Sequence, residues 1–148
     1  MIYTELTRKA LMIAYKAHKK QVDKAGKPYI FHPLHLAEQM DDEYTCCVAL
    51  LHDTVEDTDV TMETLRELFP KDVADAIERL THDKHVPYME YIKKINEDPI
   101  AKKVKLADLK HNMDIHRFCD VELTSQEKEA IQDRIITKYK PAFAYLSK

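Results

Sequence analysis

The chain has 148 residues and a formal net charge of −3 with histidine counted as neutral, which argues against binding along a nucleic acid backbone. Its single glycine, Gly26, excludes the common Gly-rich phosphate loops, and its three cysteines form no CxxC motif, which argues against a disulfide framework or a thiolate zinc site. No apolar stretch approaches the ~20 residues needed to cross a membrane, and no signal-peptide pattern opens the sequence. We therefore expect one cytoplasmic domain over residues 1–148. The oligomeric state stays open at this point.

Apolar residues at helical spacing follow one another along the whole chain and predict an all-α fold. The predicted helices cover residues 4–20, 34–40, 44–56, 61–69, 73–80, 88–96 and 98–113, and a last helix starts after Thr124. Loops are predicted at 22–30 and 81–87. Thr61 and the capping box of Thr124 and Glu127 mark helix starts, as Pro99 does at a first helical position. Pro141 is expected to kink or end the last helix.

The stretch from Leu50 to Thr58 concentrates ionisable side chains behind an apolar run. On one helix over 44–56, His52 and Glu56 would be four residues apart, and so would Asp53 and Asp57. Burying even a neutral polar group without partners costs on the order of 2–7 kcal/mol, so a buried helix with four such side chains needs a reason. A divalent cation is the simplest one.

Further polar residues lie at helix ends or on apolar helices elsewhere in the sequence. His32 precedes Pro33 at a helix start, and Asp108 and Asn112 share a helix face. Two imidazoles and two carboxylates suit manganese, iron or zinc, and the ligand types alone do not choose among these metals. The alternative reading, surface charges and helix caps, explains a lone His-Asp pair well. It explains a set spread over three helices less well.

Three blocks of the sequence resemble the hydrolase domain of the RelA/SpoT family, within the HD superfamily of metal-dependent phosphohydrolases. The blocks are residues 28–34 (PYIFHPL), 49–58 (ALLHDTVEDT) and 104–113 (VKLADLKHNM). The resemblance runs from residue 10 to about 115, and the chain is similar to stand-alone small alarmone hydrolases, including those of the Mesh1 type. It implies a single HD-domain helical bundle that removes pyrophosphate from the 3′ position of ppGpp or pppGpp, leaving GDP or GTP.

Carried over by motif, the resemblance implies a role for each of nine residues. The implied ligands of one metal ion, usually Mn²⁺ in this family, are His32, His52, Asp53 and Asp108. The implied catalytic acidic pair is Glu56 and Asp57. The implied substrate-binding residues are Lys24, Asn112 and Lys105.

Two positions depart from the family pattern. Asp23 stands where the family usually has an arginine that stacks on guanine, and Ile115 stands where it often has a threonine. Asp23 cannot stack and would place negative charge near a polyanionic substrate. Two alternatives to ppGpp hydrolysis therefore stay open. One is hydrolysis of another nucleotide (ppApp, NADPH or a nucleoside monophosphate), and the other is a nucleotide-binding module without turnover.

Overall fold

The computed structural model describes residues 1–148 and is all-helical, which confirms the predicted fold class. The helices are α1 (Glu5–Ala17), α2 (Phe31–Glu38), α3 (Glu43–Leu51), α4 (Thr54–Asp57), α5 (Met62–Leu68), α6 (Lys71–Leu80), α7 (Tyr88–Asn96), α8 (Pro99–Asn112), α9 (Ser125–Arg134) and α10 (Lys140–Leu146). A 3₁₀ turn covers Ile115–Phe118, and a π turn over Ile135–Tyr139 joins α9 to α10. None of these helices combines the length and apolar character that crossing a bilayer requires.

Helix α3 lies at the centre of the bundle. Every residue from Thr45 to Leu51 is buried, and the helix packs against α1, α2, α6 and α8. Burying a leucine such as Leu50 or Leu51 contributes about 1.5–3 kcal/mol relative to leaving it in water. Side chains at the end of α3 therefore start from a closely packed and rigid base.

The prediction of one helix over 44–56 is wrong, because the chain breaks at the His52-Asp53 pair. The Thr54 hydroxyl donates to the carbonyl of Leu51 at 2.8 Å, and Nδ1 of His52 donates to the carbonyl of Ala49 at 2.7 Å. These side chains satisfy carbonyls that a continuing helix would use, so the chain can turn there. His52 and Asp53 consequently lie between α3 and α4 and do not share a regular helix face with Glu56.

The C-terminal helix continues through Pro141, so of the two outcomes expected there, a kink or an end, the end is wrong. The backbone N–H of Lys140 bonds to the carbonyl of Ile135, five residues earlier, and Pro141 is the second residue of α10. A proline has no N–H to donate and its ring crowds the preceding turn, and a widened turn accommodates both effects. The widened turn thus lies just before the proline.

Several other predicted boundaries agree with the structure, but the helix predicted over 34–40 begins at Phe31 and ends at Glu38. The Thr61 cap, the Asp98-Pro99 start and the capping box of Thr124 and Glu127 are all present, and residues 81–87 form no helix. The first helix is shorter than predicted, since α1 ends at Ala17. These starts carry local capping chemistry, which explains why short-range patterns located them.

Candidate active site

Four side chains from three parts of the fold meet in the interior. His32 is the second residue of α2, His52 and Asp53 form the α3–α4 junction, and Asp108 lies in the third turn of α8. All are buried except Asp53, whose side chain is 19% exposed. Because α2, α3 and α8 pack against each other, burial of apolar faces brings together residues that are 76 positions apart in the chain.

The donor atoms of these side chains form a closed ring. Nε2 of His32 lies 3.0 Å from Oδ1 of Asp108 and 3.8 Å from Oδ2 of Asp53. Nε2 of His52 lies 3.0 Å from the same Asp53 oxygen and 3.7 Å from the same Asp108 oxygen. Bonds of about 2.0–2.2 Å to one central ion place neighbouring ligand atoms about 3–3.6 Å apart, so the spacing fits one cation. The cluster could hold a divalent metal ion, as predicted.

The orientation of His52 supports this fit. Its Nδ1–H donates to the carbonyl of Ala49, so Nε2 is the ring atom that faces the Asp53 and Asp108 oxygens and can bind a cation once its proton is displaced. That Nε2 is buried and has no hydrogen-bond partner, although buried polar atoms are normally satisfied. A ligating histidine characteristically has one nitrogen fixed by a carbonyl and the other directed at the metal. The unpartnered atom therefore indicates a place for a ligand.

His32 has a comparable support in His111, to which the sequence analysis assigned no role. The two Nδ1 atoms lie 2.6 Å apart and the rings stack with centroids 4.9 Å apart. Burial, together with the nearby His32, Arg117 and His35, lowers the pKa of His111 to about 3. A neutral His111 can accept the Nδ1–H of His32, which leaves Nε2 of His32 free to bind a cation.

Mutual attraction shapes the ionisation of the cluster. Burial opposes the charge of Asp53, but the adjacent His52 outweighs burial and lowers the pKa of Asp53 to about 2. Burial likewise opposes the charge of His52, and Asp53 and Asp108 still raise its pKa well above the ordinary value. The carboxylates are thus held ionised, and a metal ion would have to displace a proton from His52.

Tyr29 supports Asp53 and was also missed as a functional residue. Its hydroxyl donates to Oδ2 of Asp53, the oxygen that faces both histidines. Burial, followed by the charge of Asp53, raises the pKa of Tyr29, so the hydroxyl keeps its proton and remains a donor. Tyr29 thereby fixes the direction of the Asp53 carboxylate.

Lys105 and Asn112 both contact Asp108. Nζ of Lys105 donates to Oδ2 at 2.8 Å, and Nδ2 of Asn112 donates to Oδ1 at 3.0 Å. The Lys105 side chain is only 12% exposed and lies over the Tyr91 ring. Both residues line the cavity described below, as substrate contacts would, and they also orient Asp108. Their substrate role stays a prediction.

The acidic pair lies on α4, beside the donor ring. Glu56 accepts the backbone N–H of His82 at 2.7 Å, which ties the 81–87 loop to this edge. Burial, followed by the charges of Asp53 and Glu56, raises the pKa of Asp57 to about 6. A carboxylate with a pKa near neutrality is suited to proton transfer at physiological pH.

A cavity of about 470 Å³ opens over the donor ring, and Glu56 and Asp57 are part of its wall. This volume is within the usual range for small-molecule sites. Five cationic side chains also line it: Lys24, Lys105, Arg117, Arg134 and Lys138. The sequence analysis named only the first two of these five.

Lys24, Arg134 and Lys138 have no carboxylate within salt-bridge distance. Partial burial lowers the pKa of Lys24, and the neighbouring Arg134 and Lys138 lower it further. Like charges repel, so gathering three uncompensated cations on one wall costs free energy. A bound polyanion would remove that cost.

The family model described as "HD domain" matches residues 10–133. "GTP pyrophosphokinase rsh" of Brucella melitensis is 37% identical over 123 residues, covering 73% of this chain and 16% of that protein. "Guanosine-3′,5′-bis(diphosphate) 3′-pyrophosphohydrolase" of Aquifex aeolicus is 37% identical over 123 residues, covering 75% and 18%. "Bifunctional (p)ppGpp synthase/hydrolase SpoT" of Escherichia coli is 36% identical over 121 residues, covering 72% and 17%. The chain therefore spans less than a fifth of the length of these relatives.

A solved structure resembles the whole chain. It is described as a metazoan ortholog of SpoT that hydrolyzes ppGpp, and it superimposes with a TM-score of 0.68 at 23% identity. The match covers 99% of this chain and 96% of that one. At this identity the likeness establishes a shared helical fold over the full length.

Proposed function

The chain belongs to the HD-domain family, and from this membership and the geometry of the cavity we propose that it is a metal-dependent 3′-pyrophosphohydrolase. Its substrate would be guanosine 3′,5′-bis(diphosphate), ppGpp or pppGpp, and its products GDP or GTP and pyrophosphate. One observation carries the proposal: a single cavity joins the donor ring, of which His32, Asp53 and Asp108 line it, to a wall of uncompensated positive charge. A substrate with two separate diphosphates matches both parts.

The residues proposed to hold the metal ion are His32, His52, Asp53 and Asp108. We propose Mn²⁺ because mixed imidazole and carboxylate donors accept it and phosphate oxygens suit it as further ligands. When bound, the ion would polarise a phosphoryl oxygen and lower the pKa of water. Tyr29, His111 and Lys105 hold the ring in place, since each contacts one of its members.

Glu56 and Asp57 are proposed to handle protons. A water oxygen forms a bond to the phosphorus attached to the 3′ oxygen, and the bond from this phosphorus to the 3′ oxygen breaks. The water proton passes to a carboxylate of the pair, and the 3′ oxygen leaves as a hydroxyl after taking up a proton. The raised pKa of Asp57, about 6, lets it exchange a proton near neutral pH.

The cationic wall is proposed to bind phosphate groups. Lys24, Arg134 and Lys138 reach the cavity from the 21–29 loop, the end of α9 and the π turn. Charge-assisted hydrogen bonds to phosphate are roughly twice as strong as neutral ones. Asn112 and Lys105 are proposed to contact the substrate between this wall and the donor ring.

Product analysis with a substrate panel tests the proposal. The protein is loaded with Mn²⁺ and incubated with ppGpp, ppApp, NADPH and GMP, and Asp53→Ala serves as the blank. Metal content is measured on each sample, so that inactivity is separated from failure to load. We expect GDP and pyrophosphate to form fastest from ppGpp.

Faster cleavage of another nucleotide in the panel would keep the metal chemistry and replace the substrate. Tight nucleotide binding by the metal-loaded protein without any cleavage would overturn the enzymatic proposal and indicate a binding module.

A further inference from the structure

Arg117 enters the cavity from the 3₁₀ turn Ile115–Phe118, and its guanidinium is held by two contacts. Nη1 donates to the carbonyl of His111 at 3.1 Å, and Nη2 lies 3.5 Å from Oδ2 of Asp23. The Arg117 side chain is only 17% exposed. A long side chain fixed this way has already lost much of its rotamer freedom, so a ligand that contacts it need not order it.

Asp23 is engaged on both of its oxygens. Oδ1 accepts the backbone N–H groups of Ala25 and Lys27 at 2.8 and 3.0 Å, and Oδ2 faces Arg117. Asp23 lines the cavity, and its negative charge there faces the guanidinium of Arg117. Its charge is balanced by Arg117, and its hydrogen bonds shape the loop that carries Lys24 into the cavity.

Lys27 locks the same two segments together from the other side. Its Nζ donates to the carbonyl of Arg117 at 3.2 Å and to Oδ1 of Asp120 at 2.9 Å. The loop around Asp23 is thus connected to the 3₁₀ turn by two polar contacts and to Asp120, which follows the turn, by a third. Arg117 is presented by a cross-linked wall, although both segments lie outside the regular α-helices.

The charge balance separates Arg117 from the other cations of the cavity. Lys24, Arg134 and Lys138 have no carboxylate partner, whereas Arg117 is paired with Asp23. Pairing reduces the attraction of Arg117 for phosphate, but only one N–H of the guanidinium is in a hydrogen bond, and Cζ lies 5.8 Å from the centroid of the Phe118 ring, which also lines the cavity. A guanidinium plane is a good stacking surface for a nucleobase.

The apolar side chains on the cavity wall support the same assignment. Val22 and Phe118 are the sequence neighbours of Asp23 and Arg117, and Ile131 lies on α9; all three line the cavity. Phosphate groups find no partners on such side chains, whereas a base buries apolar surface against them.

We propose that Arg117 is a specificity-determining residue that binds the nucleobase of the substrate, and that Asp23 is the residue that positions it. The inference rests on the proposed function, because it concerns the base of that nucleotide. The resembled family has its arginine in the loop before the glycine, at the position of Asp23, whereas Arg117 lies 94 positions further along the chain. In this arrangement the Asp23 carboxylate pairs with the guanidinium of Arg117 and holds it in the cavity.

The test compares two ligands that differ by the base, GMP and ribose 5-phosphate, in calorimetric titrations of the metal-loaded protein. The difference between their affinities is the contribution of the base. We expect Arg117→Gln to weaken GMP binding on the order of tenfold, as loss of a base-stacking contact does, and to leave ribose 5-phosphate binding unchanged. Arg117→Lys keeps the charge but lacks the planar group, so it should lose a similar factor.

Arg134→Gln is the matched control, since it removes one positive charge from the same cavity. It should weaken GMP and ribose 5-phosphate by similar factors. Asp23→Asn keeps an oxygen for the two loop N–H groups and removes the charge that positions Arg117. It should weaken GMP by a smaller factor, and it should have no further effect when combined with Arg117→Gln.

Equal weakening of both ligands by Arg117→Gln would make Arg117 a phosphate contact and overturn the proposal. Unchanged GMP binding in that variant, or a wild-type protein that binds both ligands equally, would overturn it too. These titrations need no turnover. If the substrate panel shows no hydrolysis while the base contribution depends on Arg117, the proposed function falls and this inference stands. If ppGpp is hydrolysed while the base contribution to binding does not depend on Arg117, the proposed function stands and this inference falls.

Discussion

The two sides of the cavity are built in different ways. The donor ring lies on α2, α8 and the end of α3, and its members are almost all buried and connected to one another. The opposite wall comes from the 21–29 loop, the 3₁₀ turn and α9 with its π turn, and its cations Lys24, Arg134 and Lys138 are exposed. The proposed metal chemistry, which needs fixed distances, is thus placed on packed helices, and the proposed recognition of the substrate is placed on peripheral segments that tolerate change.

Removal of Asp53 should have the largest effect, because it breaks the donor ring at the oxygen that faces both histidines. We expect Asp53→Ala to lose metal binding and all measurable hydrolysis of ppGpp, and calorimetric titration with Mn²⁺ checks the first point. The variant should stay folded by circular dichroism, since no apolar core residue is changed. Retention of a stoichiometric metal ion would show that the ion binds elsewhere.

Changes to the acidic pair should separate catalysis from metal binding. Glu56→Gln and Asp57→Asn are each expected to lower kcat by about 10²–10⁴-fold, the usual contribution of general acid–base groups, and to leave Mn²⁺ affinity near the wild-type value. Steady-state rates and metal titrations on the same samples check this. Full turnover in either variant would remove that carboxylate from the proposed mechanism.

Tyr29→Phe should test whether the supports of the donor ring matter as much as its members. The substitution deletes only the hydroxyl that donates to Asp53. Loss of such a supporting hydrogen bond typically lowers metal affinity by 10–100-fold, and we expect a loss in that range. Tyr88→Phe, a tyrosine on the same cavity without this bond, is the matched control. Equal metal affinities in the two variants would contradict the role of Tyr29.

The pH dependence of metal binding follows from the raised pKa of His52. His52 must lose its proton to bind the ion, so Mn²⁺ affinity should rise with pH, by about tenfold per unit while one proton is released. It should level off above the pKa of His52. Titrations in buffers of different ionisation enthalpy count the protons released. Affinity that is flat from pH 6 to 8 would argue against His52 as a ligand.

The smallest effect is expected on the recognition wall. Lys138→Gln removes one of several cations, and one charge-assisted hydrogen bond contributes about 1.5–3 kcal/mol. Because Lys138 is exposed, its contribution should lie at the low end of this range, so KM for ppGpp should rise by roughly tenfold while kcat and metal affinity remain near wild type. A change confined to kcat would contradict this role and indicate that Lys138 acts on the reacting phosphoryl group.

The donor ring could be predicted from the sequence, whereas most of the cationic wall could not. The donor residues lie in three short blocks, and their helices bear clear apolar periodicity, so both the fold class and the candidate ligands could be read from local patterns. His111 and Tyr29 lie inside those blocks but gained a role only through contacts with His32 and Asp53. Arg134 and Lys138 lie on a helix whose pattern is that of an ordinary solvated face.

The amino-acid sequence by itself determined the helical class, most helix starts and the set of candidate metal ligands, because capping, apolar spacing and residue chemistry act over a few positions. The tertiary structure alone decided that the chain breaks at His52-Asp53, that Asp23 faces Arg117, and that Arg134 and Lys138 reach the same cavity as Lys24. Asp23 and Arg117 are 94 positions apart in the chain. Packing of the helices brings them together, and no pattern along the sequence encodes that distance.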